Sequence, residues 1–363
     1  MTNSTNATMK AARYYDRGDI RVENIPVPPV LPGTVGIEVA FCGICGTDLH
    51  EYLDGPIFCP SATHAHAISG ETAPVTLGHE MSGTVYALGE GVTDLKVGDK
   101  VVVEPYIINE GVDTSAASLD YHLSKDMGFI GLSGRGGGLA EKITVQRRWV
   151  HAISDNVPLD QAALIEPLSV GYHAFKRSSG KAGDFALITG AGPIGLLTAA
   201  VLKAEGITVA ISEPSALRRQ KATETGVAAH VFDPRTDDVV ARVKELTGGK
   251  GADIGFECTS VQPAFDTLID ALKPTGVLVV ESIWGKKASL DMQKLVLKEI
   301  DLRGTIAYVN SHPETIKLVQ QGKINLKPFI TGVIGLDGLI SEGFDTLINK
   351  NETAVKILVN PRA

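Results

Sequence analysis

Phe185-Ala-Leu-Ile-Thr-Gly190-Ala-Gly192-Pro193-Ile194-Gly195-Leu-Leu-Thr-Ala-Ala-Val-Leu202 is the stretch on which the fold turns. Its 18 residues carry no charge, which reaches the length of a membrane-spanning helix. The glycines and proline in its middle exclude that reading. The first five residues read as a buried strand and the last part as a helix, with a glycine turn between. In that setting Gly190-x-Gly192-Pro193-Ile194-Gly195 is a G-x-G-x-x-G motif. The first glycine permits a tight turn, the second lets a pyrophosphate approach the backbone, and the third allows helix and sheet to pack closely. The free N–H groups at the helix start would then receive the phosphate. The same glycine spacing without strand and helix would be a weak signal.

Downstream, apolar strands (TVAIS, AHVFD, ADIGFEC, GVLVVES) alternate with helical stretches (ALRRQKATETG, VVARVKELTGG, QPAFDTLIDALKPTG, LDMQKLVLKEI). A parallel sheet needs this alternation, because each parallel connection requires a helix-length return. Glu213 stands just past TVAIS, where a carboxylate accepts hydrogen bonds from both hydroxyls of an adenosine ribose and repels a 2′-phosphate. NAD is therefore favoured over NADP, with Arg218 and Arg219 pulling slightly the other way. Cys258, Thr259, Ile283 and Ala307 fall just beyond strand ends, where ligands lie in open parallel sheets.

Upstream, from Met9 to about Val150, short apolar runs are broken by Gly and Pro (VGIEVAFCGICG, MSGTVYALGEGV, DKVVVEPYII). Such spacing reads as an irregular, mostly antiparallel β domain. A helix is expected from Gln161 to Gly180, and after Gly304 a strand, a helix near Glu314–Gln321 and a final AVKILV strand. The 363 residues ask for two domains. With 42 acidic against 34 basic side chains, a net charge of −8 and no basic block, neither a nucleic-acid footprint nor a polybasic membrane surface is expected. A small-molecule partner fits instead. The amino-terminal MTNSTNATMK lacks the sections of a secretory signal, and the four cysteines are too few for a disulfide framework. A reducing cytoplasm is the expected setting.

Three separated segments carry metal-ligand chemistry: Cys42-Gly-Ile-Cys45-Gly-Thr47-Asp48-Leu-His50, Gly78-His79-Glu80 and Glu166-Pro167. Catalytic zinc takes three protein ligands and keeps a fourth position open. Singly each segment is ambiguous. A Cys-x-x-Cys reads equally as a redox pair or half a zinc ribbon, and His79 equally as a satisfied core histidine.

With the glycine turn, these segments resemble the zinc-containing medium-chain dehydrogenase/reductase family over nearly the whole chain. Gly78-His79-Glu80-x-x-Gly83-x5-Gly89-x-x-Val92 is similar to that family's zinc signature. The resemblance implies a GroES-like, mostly β catalytic domain (1–164 and 308–363) and a Rossmann doubly wound parallel sheet (165–307), an α/β architecture. It implies Cys45, His79 and Glu166 as ligands of one catalytic zinc, leaving Cys42 to packing. The acidic third position is similar to the polyol and butanediol dehydrogenases. Glu80 matches a carboxylate that swings onto the metal or forms a salt bridge. Thr47 and His50 match a proton relay, and Cys258, Ile283 and Ala307 the nicotinamide half of the cofactor site. Gly46 replaces a basic residue with which several relatives touch the pyrophosphate. Many relatives also bind a structural zinc through four cysteines. Between Glu104 and Gly138 this chain has none, with Asn109, Glu110, Asp113, Asp120, His122 and Asp126 there instead, so one zinc per chain is expected. The implied reaction is hydride transfer between NAD(H) and a vicinal diol or hydroxyketone such as 2,3-butanediol, acetoin or diacetyl. Sorbitol-type polyol oxidation is second, and a non-catalytic dinucleotide-binding relative third. A homodimer or homotetramer is implied, with VLVVESIW as a strand that could pair across subunits. The long connection from Pro56 to Pro74 reads as a substrate gate or as a passive surface excursion.

Overall fold

The structure is a computed structural model and describes residues 7–109, 120–350 and 354–363. Glu110, Asp113 and the first six residues, to which expectations were attached above, lie outside the described residues. The chain forms two compact units, Met1–Glu166 with His312–Gln320 and Ile330–Ala363, and Pro167–Ser311 with Gln321–Phe329. The division expected at 164/165 and 307/308 thus differs, and residues 321–329 return to the second unit. No loop marks the first boundary, because one helix, Ile165–Ser178, runs through it.

The second unit holds the sheet announced by the glycine turn. Its strands are β1 (Phe185–Thr189), β2 (Thr208–Ser212), β3 (His230–Phe232), β4 (Ala252–Glu257), β5 (Leu272–Val280) and β6 (Asp301–Gly304), all paired in parallel in the order β3-β2-β1-β4-β5-β6. That order is the one of dinucleotide-binding doubly wound sheets, and it reverses direction between β1 and β4, where such folds open a crevice. β1 is buried at every position because helices cover both faces. Helices begin where the sequence supplies caps. Ser215 and Asp238 accept hydrogen bonds from the amides of Arg218 and Ala241 at 3.4 and 3.0 Å, and Asp291 caps Met292–Lys298. Leu187, Ala210, Val243, Leu268 and Leu278 share one core cluster. VLVVESIW does not form a free edge. Val277–Val280 are paired on one side with β4 and on the other with β6, so β6 is the edge strand.

The first unit is built on an antiparallel sheet in which Thr34–Gly43 is flanked by Glu80–Leu88 and Lys356–Asn360. Thr8–Asp16 and Asp19–Pro26 form a hairpin beside it. The register places Gly43 opposite Glu80, and Leu358 opposite Gly43. Three strands therefore deliver their ends to one place. Near the cysteine-free segment, Tyr106, Tyr121, Phe129 and Trp149 form a ring cluster with centroids 5.2–5.7 Å apart, and the Tyr121 hydroxyl donates to buried Glu104. Aromatic packing contributes to the order of these residues.

Candidate active site

Cys45 lies just past Thr34–Gly43 and caps the helix Gly46–Asp54. His79 follows Gly78, whose φ of +95° only glycine adopts readily and whose added Cβ would meet Cys42 Sγ at 2.7 Å. Cys42 is fully buried there and packs rather than joining the site. The ligand atoms of Cys45, His79 and Glu80 lie within 4.8 Å of one another. Glu166, in the first turn of Ile165–Ser178, is buried but outside that tight group.

The electrostatics around these side chains are unbalanced. Asp48 Oδ2 accepts the Cys45 amide at 2.9 Å, and its Oδ1 stands 3.6 Å from His79 Nδ1. Both Asp48 Oδ1 and His79 Nδ1 are buried without a hydrogen bond. Lys356 Nζ, buried at the start of its strand, donates to both oxygens of Glu80 at 2.6 and 2.7 Å and to Ile44 O at 3.1 Å. Burial works against its charge, but Glu80, Cys45 and Glu166 outweigh it and raise its pKa. That influence ties Glu166 electrostatically to the same centre. Asp48 and Glu80 are buried acids beside Cys45, and Lys356 pairs with Glu80, so a thiolate on Cys45 with a neutral His79 would leave net negative charge away from water. Such a set calls for a cation, and soft sulfur, imidazole and carboxylate oxygen together suit zinc. Gly43 is required by this packing, since a Cβ there would meet Glu80 Oε2 at 2.0 Å. Thr47 Oγ1 is 3.7 Å from Cys45 Sγ. His50 is exposed, 3.9 Å from Asp54.

In the second unit each glycine of the turn differs in its surroundings. Gly190 has φ +96° and abuts Cys258 and Thr259 at the end of β4. A Cβ on Gly192 would meet nothing within 4 Å, so the backbone lies open. A Cβ on Gly195 would strike Gly190 O at 2.2 Å. Pro193 opens the helix Pro193–Ala204, followed by Ile194. Glu213 accepts the Ala191 amide on Oε2 and the Ser215 amide on Oε1, both at 2.8 Å, which leaves lone pairs on each oxygen. Arg218 lies in the first turn of Ala216–Glu224, while Arg219 is tied to Glu213 O, Pro214 O and Asp233. Ile283 is 71% exposed and Ala307 has φ +47°.

Residues 193–321 match the family described as "Zinc-binding dehydrogenase" and residues 31–155 the "Alcohol dehydrogenase GroES-like domain". A (R,R)-butanediol dehydrogenase of Neisseria gonorrhoeae is 65% identical over 97% of this chain and 99% of its own. The chain belongs to the zinc-binding alcohol dehydrogenases. Its fold accordingly pairs a GroES-like domain with a Rossmann sheet. Among solved structures, the 2R,3R-butanediol dehydrogenase of Bacillus subtilis superposes with a TM-score of 0.91 at 44% identity, covering 97% of this chain and 99% of that one. A chicken sorbitol dehydrogenase is 33% identical over 96% of the chain and 95% of its own length. This zinc-binding dehydrogenase is an enzyme, so the non-catalytic alternative falls away.

Asp48 and Lys356 carry roles that reading the sequence did not assign. Asp48 stands three residues after a helix cap, a position suited to reaching back to it. Lys356 is the lone charge in AVKILV, and a lysine buried in a strand must find a counter-ion.

Proposed function

We propose that this enzyme is an NAD-dependent, zinc-dependent dehydrogenase of vicinal diols and hydroxyketones, interconverting 2,3-butanediol and acetoin and reducing diacetyl. The observation that carries the reading is the cluster of Cys45, His79 and Glu80, whose ligand atoms lie within 4.8 Å of one another, with Asp48 Oδ1 3.6 Å from His79 Nδ1. The substrate class is supported by butanediol dehydrogenases 65% and 45% identical over nearly the full chain. A sorbitol dehydrogenase at 33% supports a polyol less strongly.

Cys45, His79 and Glu166 would hold one zinc ion, and Asp48 would orient the His79 ring from behind, as second-shell carboxylates do. Glu80, whose carboxylate lies in the same 4.8 Å group, is engaged at both oxygens by Lys356. When bound, zinc supplies Lewis acidity that lowers the pKa of a substrate hydroxyl, and NAD supplies the hydride acceptor. Thr47 would take the substrate proton at Oγ1, and His50, exposed to solvent, would exchange it with water. Gly190, Gly192, Pro193, Ile194 and Gly195 would cradle the pyrophosphate. Glu213 would use its remaining lone pairs on the ribose hydroxyls and so select NAD, with Arg218 at the rim. Cys258, Ile283 and Ala307 would line the nicotinamide half.

No described helix is long and apolar enough to cross a membrane, and all four cysteines are free, which supports a reducing, cytoplasmic setting. A homodimer or homotetramer is supported by exposed Leu302 on edge strand β6 and by exposed Val296 and Leu297 nearby in sequence.

The test is zinc content and turnover on acetoin, 2,3-butanediol, sorbitol and threonine with NAD(H) and NADP(H). Glu166→Ala should lose zinc and activity together, whereas Glu80→Gln should keep zinc. Retention of zinc by Glu166→Ala, or preferred turnover of sorbitol, would overturn the corresponding part.

A further inference from the structure

The helix that begins at Cys45 carries a fully buried acid on its next turn, Glu51. Among the described residues no cation pairs with it. Its carboxylate instead accepts three successive backbone amides, Ile57 N on Oε2 at 2.9 Å and Phe58 N and Cys59 N on Oε1 at 2.5 and 3.2 Å. Its backbone carbonyl accepts the Gly55 amide at 3.0 Å. A Cβ on Gly55 would meet Glu51 O, the Tyr14 hydroxyl and Glu51 Oε2 at 2.3, 2.6 and 2.8 Å, so the turn is packed with no slack. Burying a carboxylate without a counter-ion costs several kcal/mol unless charge-assisted hydrogen bonds replace its water. Consecutive amides converging on one anion do that, and the anion in turn fixes their backbone.

What they fix lies beside the metal cluster. The Phe58 ring packs edge-on against Phe129 at 5.6 Å, and Phe129 lies 6.4 Å from the His79 ring. The Phe58 carbonyl accepts the Ser133 hydroxyl at 3.0 Å. The same segment, Pro56–Ser61, lines a cleft of about 490 Å³ with His64, His66 and Met127. The connection from 56 to 74 is therefore not a passive excursion at its start.

We propose that Glu51 is a positioning residue for substrate recognition: it pre-orders residues 57–59 so that Phe58 forms a fixed wall behind Phe129, the ring that stands beside His79. This rests on the diol and hydroxyketone reading above. A wall that is ordered before substrate arrives spares the complex the entropy of ordering it. Loss of the anchor then appears in substrate binding before it appears in chemistry.

The experiment uses the zinc-loaded, full-length enzyme with Glu51→Gln, which keeps the size but sets an NH2 group against the amides, and Phe58→Leu, which removes the ring and leaves the carboxylate. In both, KM for acetoin and 2,3-butanediol should rise about tenfold, with kcat changed less than about twofold, and zinc per chain and the Kd for NADH unchanged. Amide exchange at 57–59 should quicken at least about tenfold in Glu51→Gln alone. Unchanged KM in both variants would overturn the proposal, as would parallel loss of kcat, zinc and NADH binding in Phe58→Leu. If Glu51→Gln does not fold, Phe58→Leu decides. A wild-type enzyme inactive on both substrates would sink the functional reading, while slow exchange at 57–59 lost in Glu51→Gln would still support the anchor.

Discussion

Glu281, just past the end of β5, should make the enzyme less stable as pH rises through neutrality. Its Oε2 accepts the Thr198 hydroxyl at 2.9 Å, and its Oε1 is sealed from solvent without a hydrogen bond. Neighbouring Glu257 takes the available donors: the amide and hydroxyl of Thr259, the Ser260 amide, the Ser282 hydroxyl and the Trp284 indole. Burial first, and then the charge of Glu257, push the Glu281 carboxyl from an ordinary 4.5 up to about 8, against the lowering effect of Thr198 and Cys258. The folded chain therefore holds a proton that the unfolded chain releases between pH 4.5 and about 8. In that window stability falls by about 1.4 kcal/mol per pH unit at most, so the ceiling is about 5 kcal/mol. The residue as a whole is half-buried, and water reaching it reduces the expected loss to about 2–3 kcal/mol. The stabilisation is complete below pH 4.5 and gone above about 8. Glu281→Gln keeps the Thr198 contact and cannot ionise. Urea unfolding of both proteins at pH 5, 6, 7, 8 and 9 gives the difference curve, in which shared titrations such as those of metal ligands cancel. We expect near-equal stability at pH 5 and a variant more stable by about 2–3 kcal/mol at pH 9. Parallel profiles for the two proteins would refute the reasoning.

Lys356→Met should cost about 3–5 kcal/mol by leaving Glu80 buried and unpaired, and Lys356→Met with Glu80→Gln should lose less than the single change; thermal unfolding of the zinc-loaded proteins measures both. Gly192→Ala should leave thermal stability unchanged yet weaken NADH binding, because its Cβ meets no protein atom. Gly195→Ala should lower both, since its Cβ strikes Gly190 O and overpacking costs about 1–3 kcal/mol; NADH fluorescence titration and a melting curve separate the two. Thr47→Ala should reduce turnover far more than zinc content, and equal turnover would remove Thr47 from the proton path.

The second unit was legible because its signals are local. Strand, glycine turn and helix stand within Phe185–Leu202, and the alternation that follows allows little but a parallel sheet. Which strand lies at the edge is not local. β5 reads as a candidate for pairing across subunits because it is apolar, yet apolarity equally marks an interior strand, and only the pairing of β6 distinguishes them. The return of residues 321–329 to the second unit is likewise set by packing that no sequence period records. In the first unit, Cys45, His79 and Glu80 are readable because donor types cluster at recognisable spacing, but Lys356 is 276 residues from the acid it neutralises. Partners at that distance are supplied by strand register, here the alignment of both Glu80–Leu88 and Lys356–Asn360 on Thr34–Gly43.

Four glutamates, three buried and one half-buried, show why residue type alone underdetermines function. Glu80 is neutralised by an ammonium, Glu51 by three amides, and Glu213 by two amides that leave room for more donors. Glu281 finds one hydroxyl and keeps its proton instead. An acid in hydrocarbon must be balanced by a cation, by dipoles or by protonation, and each choice has its own chemistry. The ammonium pins a carboxylate beside the candidate metal cluster, the amide cradle turns charge into loop order, the half-filled acceptor suits a ribose, and the protonated acid couples the fold to pH. The sequence supplies the acid in every case. The partner decides its use, and only for Glu51 do these partners all lie within one turn of the chain, 6–8 residues on; Ala191 is 22 residues from Glu213, Thr198 is 83 from Glu281 and Lys356 is 276 from Glu80, so tertiary packing brings them together.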